Sequence, residues 1–297
     1  MVDKGLKFGL VTRNPRRWCS VQLLEAMKRA GVEPVSLRFP RIAARVGYCP
    51  VASAHDVDLL KELSALIVRP VGRGSLEEIL FRMDLLYRLE RFGMLVVNPA
   101  HSIERAVDKF YALALLEEKG LPVPRTVVTE SRGAALRAFH ELGGDVVVKP
   151  LTGSRGIGST RVSDPDVADR VFRAISFNHS VIYLQEFVSH GFSDIRAFVL
   201  SDRVLVSMRR VAEGWKTNVS RGAKPVAVKL DEELEELAVK TSETVGCIVS
   251  GVDILESKEG PKVIEVNSQP GWMGLQTVTS FNIADEIIKH IISKVKR

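Results

Sequence analysis

The stretch VVKPLTGSRGIG, residues 147–158, ends an apolar run in Lys149 and follows it with a loop of three glycines and an arginine. In a P-loop the lysine comes after the glycines, at the start of a helix, so the reversed order here excludes that motif. Free N–H groups of a glycine loop can still surround phosphate oxygens. A second stretch with chemistry in it is IVSGVDILESKEGPKVIEVNSQPG, residues 248–271, two apolar strands around the turn signal SKEGP. A hairpin folded about residue 259 sets Asp253 opposite Glu265, and strand alternation puts Asn267 on the face of Glu265. Directly opposed residues hold their Cβ atoms about 4.5–5.5 Å apart. Val252, Ile254, Ile264 and Val266 then point the other way, into a core. Hard oxygen ligands without His or Cys suit Mg²⁺ or Mn²⁺. Two carboxylates and an amide are few for a closed cage and about right for ions that also hold nucleotide phosphates. The plain alternative is an exposed hairpin face with ordinary polar residues, but buried like charges need a cation.

These groups need elements to hold them. LKFGLVT (6–12) reads as a buried strand, followed by the helix VQLLEAMKRAG with Ser20 as its cap. VEPVSLRF, SALIVRPV (64–71) and MLVVN read as further strands, and LEEILFRMDLLYRLERFG (76–93) as a helix. Such alternation predicts a parallel sheet covered on both faces, an α/β domain over residues 1–100. No GxGxxG follows the first strand, which removes a dinucleotide-binding reading. SIERAVDKFYALALLEEKG (102–120) reads as one helix, and the prolines of LPVPRT mark a hinge. A central α+β module spans 101–188, with the strands DVVVKP, STRVS and VIYLQEFV. A C-terminal α+β module spans 189–297, with SDIRAFVL, RVLVSMRRV, KPVAVKL, the helix DEELEELAVKTSETVG, the carboxylate hairpin and the closing helix NIADEIIKHIISKVK.

Composition narrows the classes. No apolar run approaches the eighteen or so residues of a membrane span, and the first residues carry no signal-peptide pattern. Three scattered cysteines and six scattered histidines offer neither a disulfide framework nor a zinc site, so a reducing cytoplasm is expected. Net charge is +6, but the basic residues are spread along the chain without a Lys/Arg block, so no nucleic-acid partner is expected. A polyanionic small substrate explains the sign as well. Arg13, Arg16 and Arg17 follow the first strand and Arg69 and Arg73 the third, at the strand ends where open parallel sheets form their ligand crevice. A solvated basic rim is the bland equivalent.

The reversed lysine–glycine loop, the QEFV strand and the DILE…IEVN hairpin together resemble the ATP-grasp superfamily, within it the RimK-like glutamate ligase branch. The resemblance runs over most of the chain. It implies ATP between two α+β modules, with a carboxylate activated as an acyl phosphate and captured by an amine. It points to Lys109 and Lys149 as ATP lysines, and to Ser154, Arg155, Gly156, Ile157 and Gly158 as a flap over the phosphates. Gln185, Glu186, Phe187 and Val188 match the strand that reads adenine, a carboxylate there holding ribose or the adenine amine. Asp194 and Arg196 match a D-x-R pattern with the arginine near the transferring phosphate. Arg210 is similar to a second phosphate-facing arginine, with Arg209 as the alternative, since neighbours on a strand face opposite sides. Asp253, Glu265 and Asn267 match the ligands of two divalent ions, Mg²⁺ or Mn²⁺. GWKTNVSRGAKP departs from the family: Lys216 stands where arginine is usual, beside Thr217 and Asn218, and lysine cannot clamp phosphate bidentately. That stretch serves either the nucleotide or, through Asn218, Ser220 and Arg221, the amino acid. EVNSQPGWMGLQ (265–276) is most similar to archaeal coenzyme ligases. The implied partners are L-glutamate and an anionic carboxylate acceptor, a pterin coenzyme before a deazaflavin coenzyme or a protein terminus, in a homo-oligomer. Rival classes are an ATP-grasp kinase, a nucleotide-binding module without chemistry, and a nucleic-acid binder.

Overall fold

The computed structural model describes residues 5–153 and 156–295. Ser154 and Arg155, expected in the flap, lie outside the described residues.

Apolar residues on both faces of the first strands force helices onto both sides. Strands β1 (Lys7–Thr12), β2 (Glu33–Leu37), β6 (Ala65–Arg69) and β7 (Leu95–Val97) form a parallel sheet in the order β2-β1-β6-β7. Phe8, Leu10 and Ile67 pack toward helix α1 (Trp18–Arg29), and Val11, Leu66 and Val68 toward helix α3 (Leu76–Arg91). Ser20 does not cap α1. The helix begins earlier, at Trp18, and the Ser20 hydroxyl lies inside its first turn, 3.0 Å from the Thr12 hydroxyl. A small antiparallel sheet of β3 (Ile42–Ala44), β4 (Ala52–Ala54) and β5 (Val57–Asp58), with the short helix α2 (Leu59–Glu62), closes the α3 side. Nothing in the weakly patterned stretch 40–58 announces it.

The segment expected as one helix is two, α4 (Ala100–Val107) and α5 (Lys109–Glu118). Asp108 breaks it: its carboxylate accepts the N–H groups of Phe110 at 2.9 Å and Tyr111 at 3.1 Å, capping a new helix. Lys109 thereby becomes the first residue of α5 rather than a mid-helix lysine.

The central sheet has the order β10-β9-β11-β8, built from β8 (Thr126–Thr129), β9 (Val146–Lys149), β10 (Thr160–Val162) and β11 (Ile182–Glu186). Helices α6 (Arg132–Glu141) and α7 (Pro165–Phe177) cover one face. The last sheet is antiparallel, β14-β13-β12-β15-β16, from β12 (Ser193–Leu200), β13 (Arg203–Val211), β14 (Lys224–Ala227), β15 (Val249–Ser257) and β16 (Gly260–Asn267). Helix α8 (Glu232–Val245) and α5 cover its inner face. After β16 the chain makes the short helix α9 (Met273–Gln276), then α10 (Ile283–Val295), which returns to pack on α1. Among the described residues no helix is long and apolar enough to cross a membrane.

Candidate active site

The face of the five-stranded sheet turned away from α8 and α5 gathers the charged residues. In the observed register Asp194 opposes Arg210, Arg196 opposes Asp253, and Asp253 opposes Glu265. The hairpin turn is tighter than a fold about residue 259, since Ser257 pairs with Gly260. A strict register would then set Asp253 against Ile264. A bulge at Ile264 takes up one residue and restores Glu265 to the position opposite Asp253. The bulge also overturns one expectation: Val263, not Ile264, enters the core, and Ile264 lines the cleft.

That cleft encloses about 880 Å³, part of it open to solvent, between the central and C-terminal sheets. Its walls include Lys109, Lys149, Gly156, Ile157, Gln185, Glu186, Phe187, Val188, Asp194, Arg210, Lys216, Thr217, Asn218, Asp253 and Glu265. Arg196, Gly158 and Asn267 lie outside its lining. Sequence reasoning missed Val147, Ser159, His190, Trp215 and Leu255, which also line it. Val147 was legible in principle, being two residues from Lys149 on the same strand face.

The lysines are held by neighbours. Lys149 Nζ donates to Gln185 Oε1 at 2.6 Å. The Gln185 amide nitrogen in turn donates to Thr126 Oγ1 at 2.9 Å and the Tyr183 hydroxyl at 3.3 Å, so its side chain positions Lys149. Burial pushes Lys149 down to about 8, against the pull of Glu265. Lys109 Nζ reaches the carbonyls of Leu151, at 3.4 Å, and Gly153, at 3.1 Å, and burial lowers its pKa too. Lys216 Nζ donates to the Ser159 carbonyl at 2.5 Å, and Arg221 to the Gly156 carbonyl at 3.2 Å. The 216–221 stretch therefore grips the described part of the glycine loop.

Asp194 accepts from Arg210 Nε and from the Thr217 hydroxyl, both at 2.6 Å. Arg210 also lies 3.0 Å from Asp253, and burial of the guanidinium is more than offset by these two carboxylates, which hold its proton firmly. Arg209 turns to the other face, where it contacts Ser193 and Glu256. Arg196 pairs with Asp253, its second nitrogen at 2.9 Å. Glu186 already accepts from Arg125 at 2.6 Å and Lys262 at 2.8 Å. Burial opposes its charge, yet these cations keep its carboxyl below the usual range. A ribose or adenine contact from this carboxylate competes with both pairs. Phe187 lies under the Arg161 guanidinium, 3.5 Å from its ring centroid, with Trp215 at its edge.

Glu265 makes no hydrogen bond or ion pair among the described residues. Burial first, and the Asp253 charge next, push its carboxyl up, while Lys109, Arg196 and Lys149 pull the other way. Asp253, 2% exposed, has Oδ1 against the guanidinium groups of Arg196 and Arg210 and, among the described residues, no hydrogen bond of good geometry to it. Asn267 spends its amide nitrogen on the Gly251 carbonyl at 3.4 Å, and its oxygen has no hydrogen bond among the described residues. No three His, Cys, Asp or Glu side chains cluster at metal-binding distance among the described residues. The set fits a hard cation that takes its remaining ligands from phosphate, and it does not fit a closed protein cage.

A RimK-like ATP-grasp domain matches residues 106–291. The chain is 33% identical over 296 residues to the tetrahydromethanopterin:alpha-L-glutamate ligase of Methanococcus maripaludis, covering 98% of this chain and 99% of that one. It is 38% identical over 244 residues to the protein of the same name from Methanocaldococcus jannaschii, covering 80% and 82%. Among solved structures, the ATP-grasp ligase PsnB bound to a minimal precursor superposes with a TM-score of 0.77 at 21% identity, covering 98% of this chain and 99% of that one. That likeness shows the fold. The chain belongs to the RimK-like ATP-grasp family, and it is a ligase that forms carbon–nitrogen bonds.

Proposed function

We propose that this protein uses ATP to add L-glutamate to the carboxylate tail of tetrahydromethanopterin. The observation that carries the reading is the convergence of Lys109, Lys149, Arg210, Asp253 and Glu265 on one cleft beside the glycine loop. Relatives that match over 80–98% of this chain and bear this activity in their names support the choice of acceptor.

In this reading the nucleotide lies between the central and C-terminal sheets. The acceptor carboxylate oxygen attacks the γ-phosphorus, the bond to the β-phosphate oxygen breaks, and ADP leaves. The glutamate amine then attacks the acyl carbon, the carbon–oxygen bond to phosphate breaks, and the amine proton leaves with inorganic phosphate. Phosphoryl transfer is mainly positioning and charge neutralisation, which is what lysines and arginines supply. Lys149, oriented by Gln185, and Lys109, at the start of α5, bring positive charge beneath the loop. Arg210 faces the transferring group from the opposite sheet, and Arg196, outside the cleft lining, is held by Asp253. Asp253, Glu265 and Asn267 would hold Mg²⁺ or Mn²⁺, in two sites, and such ions withdraw charge from the phosphates when bound. Gly156 and Ile157, in a loop held by Arg221 at the Gly156 carbonyl and Lys216 at the Ser159 carbonyl, keep water from an acyl phosphate that would otherwise hydrolyse.

The test is ADP release with ATP, Mg²⁺ and L-glutamate, with and without tetrahydromethanopterin, followed by product mass. A gain of one glutamyl unit on the pterin is the expected result. The same gain on a deazaflavin coenzyme or a protein terminus, and none on the pterin, would replace the acceptor. ADP release that needs no amine would move the protein to the kinases.

A further inference from the structure

Arg69 ends β6 at the C-terminal edge of the parallel sheet, next to Thr12 of β1. Among the described residues it makes no ion pair. Its guanidinium lies over the Trp272 ring, 4.6 Å from the centroid. Burial lowers the pKa of Arg69, and the Cys19 thiol is what opposes it. Trp272 is itself 1% exposed, wedged between the edges of Trp18 and Phe198, each 6.2 Å away. Its Nε1–H is buried without an acceptor, and so is Gln269 Nε2, three residues earlier in the same loop.

Among the described residues, then, Arg69 has no ion pair, and the loop it packs on carries two buried N–H donors with no acceptor, at Trp272 and Gln269. Native interiors leave few such groups unmet, and an anionic oxygen acceptor would answer both the guanidinium and the N–H donors. The corner adjoins the reaction centre. Phe198, against Trp272, is two residues from Arg196 on the same face of β12, roughly 7 Å along the strand. Pro270 packs on the Gly251 position, where the Arg196 side chain also lies. The approach is basic, with exposed Arg13 folded against Gly72 and exposed Arg73 beyond it.

We propose that Arg69, with the Trp272 and Gln269 donors, binds a substrate carboxylate other than the one being activated. The inference rests on the glutamate-ligase reading. L-glutamate offers two such groups, and the tail of the acceptor offers the same chemistry. The indole N–H and the fork of the guanidinium suit a planar carboxylate.

The experiment measures KM for ATP, L-glutamate and tetrahydromethanopterin by ADP release in the wild type, Arg69→Met, Arg69→Lys and Trp272→Phe. Arg69→Met is expected to raise one carboxylate substrate's KM by about 10–100-fold with the ATP value unchanged. Arg69→Lys recovers part of that loss, and Trp272→Phe, which keeps an aromatic face and removes the donor, costs about 3–10-fold. Whichever KM moves identifies the source of the carboxylate. Wild-type values for both carboxylate substrates in folded variants, or a parallel rise in the ATP value, would overturn the proposal. If Arg69→Met does not fold, the other two variants decide it on the same criteria. If the wild type proves not to use glutamate, the glutamate-ligase reading falls. Tryptophan fluorescence titrated with glutarate then tests the corner alone: saturable quenching weakened in Arg69→Lys and lost in Arg69→Met supports it, and no such quenching overturns it.

Discussion

Glu265 and Lys149 are the residues whose charge states the cleft controls most directly. Glu265 has no partner of its own among the described residues and faces Asp253, so its charge is one the folded chain holds at a cost. Glu265→Gln should therefore abolish ADP release, by about 1,000-fold or more, while leaving Tm unchanged or higher. Mg²⁺ should shift the wild-type Tm in the presence of ATP, and the shift should vanish in Glu265→Gln and on chelation. An active Glu265→Gln protein would remove this residue from the metal set. Lys149 sits near 8 because burial disfavours its charge. Below that pH it is protonated and available to phosphate, and above it the charge is lost. The kcat/KM for ATP should then fall as pH rises through about 8, by about tenfold per unit. Lys149→Arg, which does not deprotonate in this range, should remove the inflection. The folding stability runs the opposite way. The unfolded lysine keeps its proton to about 10.4, so the nucleotide-free protein should gain stability between about pH 8 and 10 from this group.

Elements present these side chains through small irregularities. The Asp108 cap breaks one long helix and turns Lys109 toward the cleft. Asp108→Ala should cost about 1 kcal/mol of stability and raise KM for ATP, both read from melting curves and ADP release. The bulge at Ile264 is the second irregularity, and it puts the two carboxylates opposite each other. Asn98, 2% exposed at the end of β7, is the third. Its oxygen accepts from the N–H groups of Ile248 at 2.8 Å and Val249 at 2.7 Å. Its nitrogen donates to the carbonyls of Val249, at 2.6 Å, and Ser268. One amide thus bolts the parallel sheet to the strand and loop that carry Asp253 and Trp272. Asn98→Ala leaves four backbone groups to find other partners and should lower stability by about 3 kcal/mol, lowering Tm by about 5 °C or more.

At the scale of the molecule, the first core is shared across the chain. Phe8, Leu10, Leu23 and Met27 pack with Ile283, Ile287 and Ile291 of α10, and with Phe198, Met208, Trp272 and Leu275 from the region of the last sheet. The N-terminal sheet cannot therefore shed the C-terminal helix without exposing its own interior. Deleting α10 should abolish soluble expression or collapse the thermal transition, whereas truncating a surface segment would not. A truncated chain with an unchanged Tm would contradict a shared core.

The two chemical stretches, the parallel α/β start and the shared face of Glu265 and Asn267 were legible because strand alternation is local: side-chain direction repeats every two residues whatever the rest of the chain does. Helix and strand periodicity carried most elements for the same reason. What lay beyond the sequence was set by contacts distant along the chain or by single hydrogen bonds. The helix break at Asp108 competes with a periodicity that continues through it. The bulge at Ile264 answers to the fit of β16 against β15, and no composition signal marks it. Whether Arg209 or Arg210 enters the cleft depends on which face of β13 meets the core, and that was decided by α8 and α5. Arg69, Trp272 and Asn98 become neighbours only when the end of the chain folds back onto its beginning, because burial and unmet donors are properties of the closed structure and not of any segment.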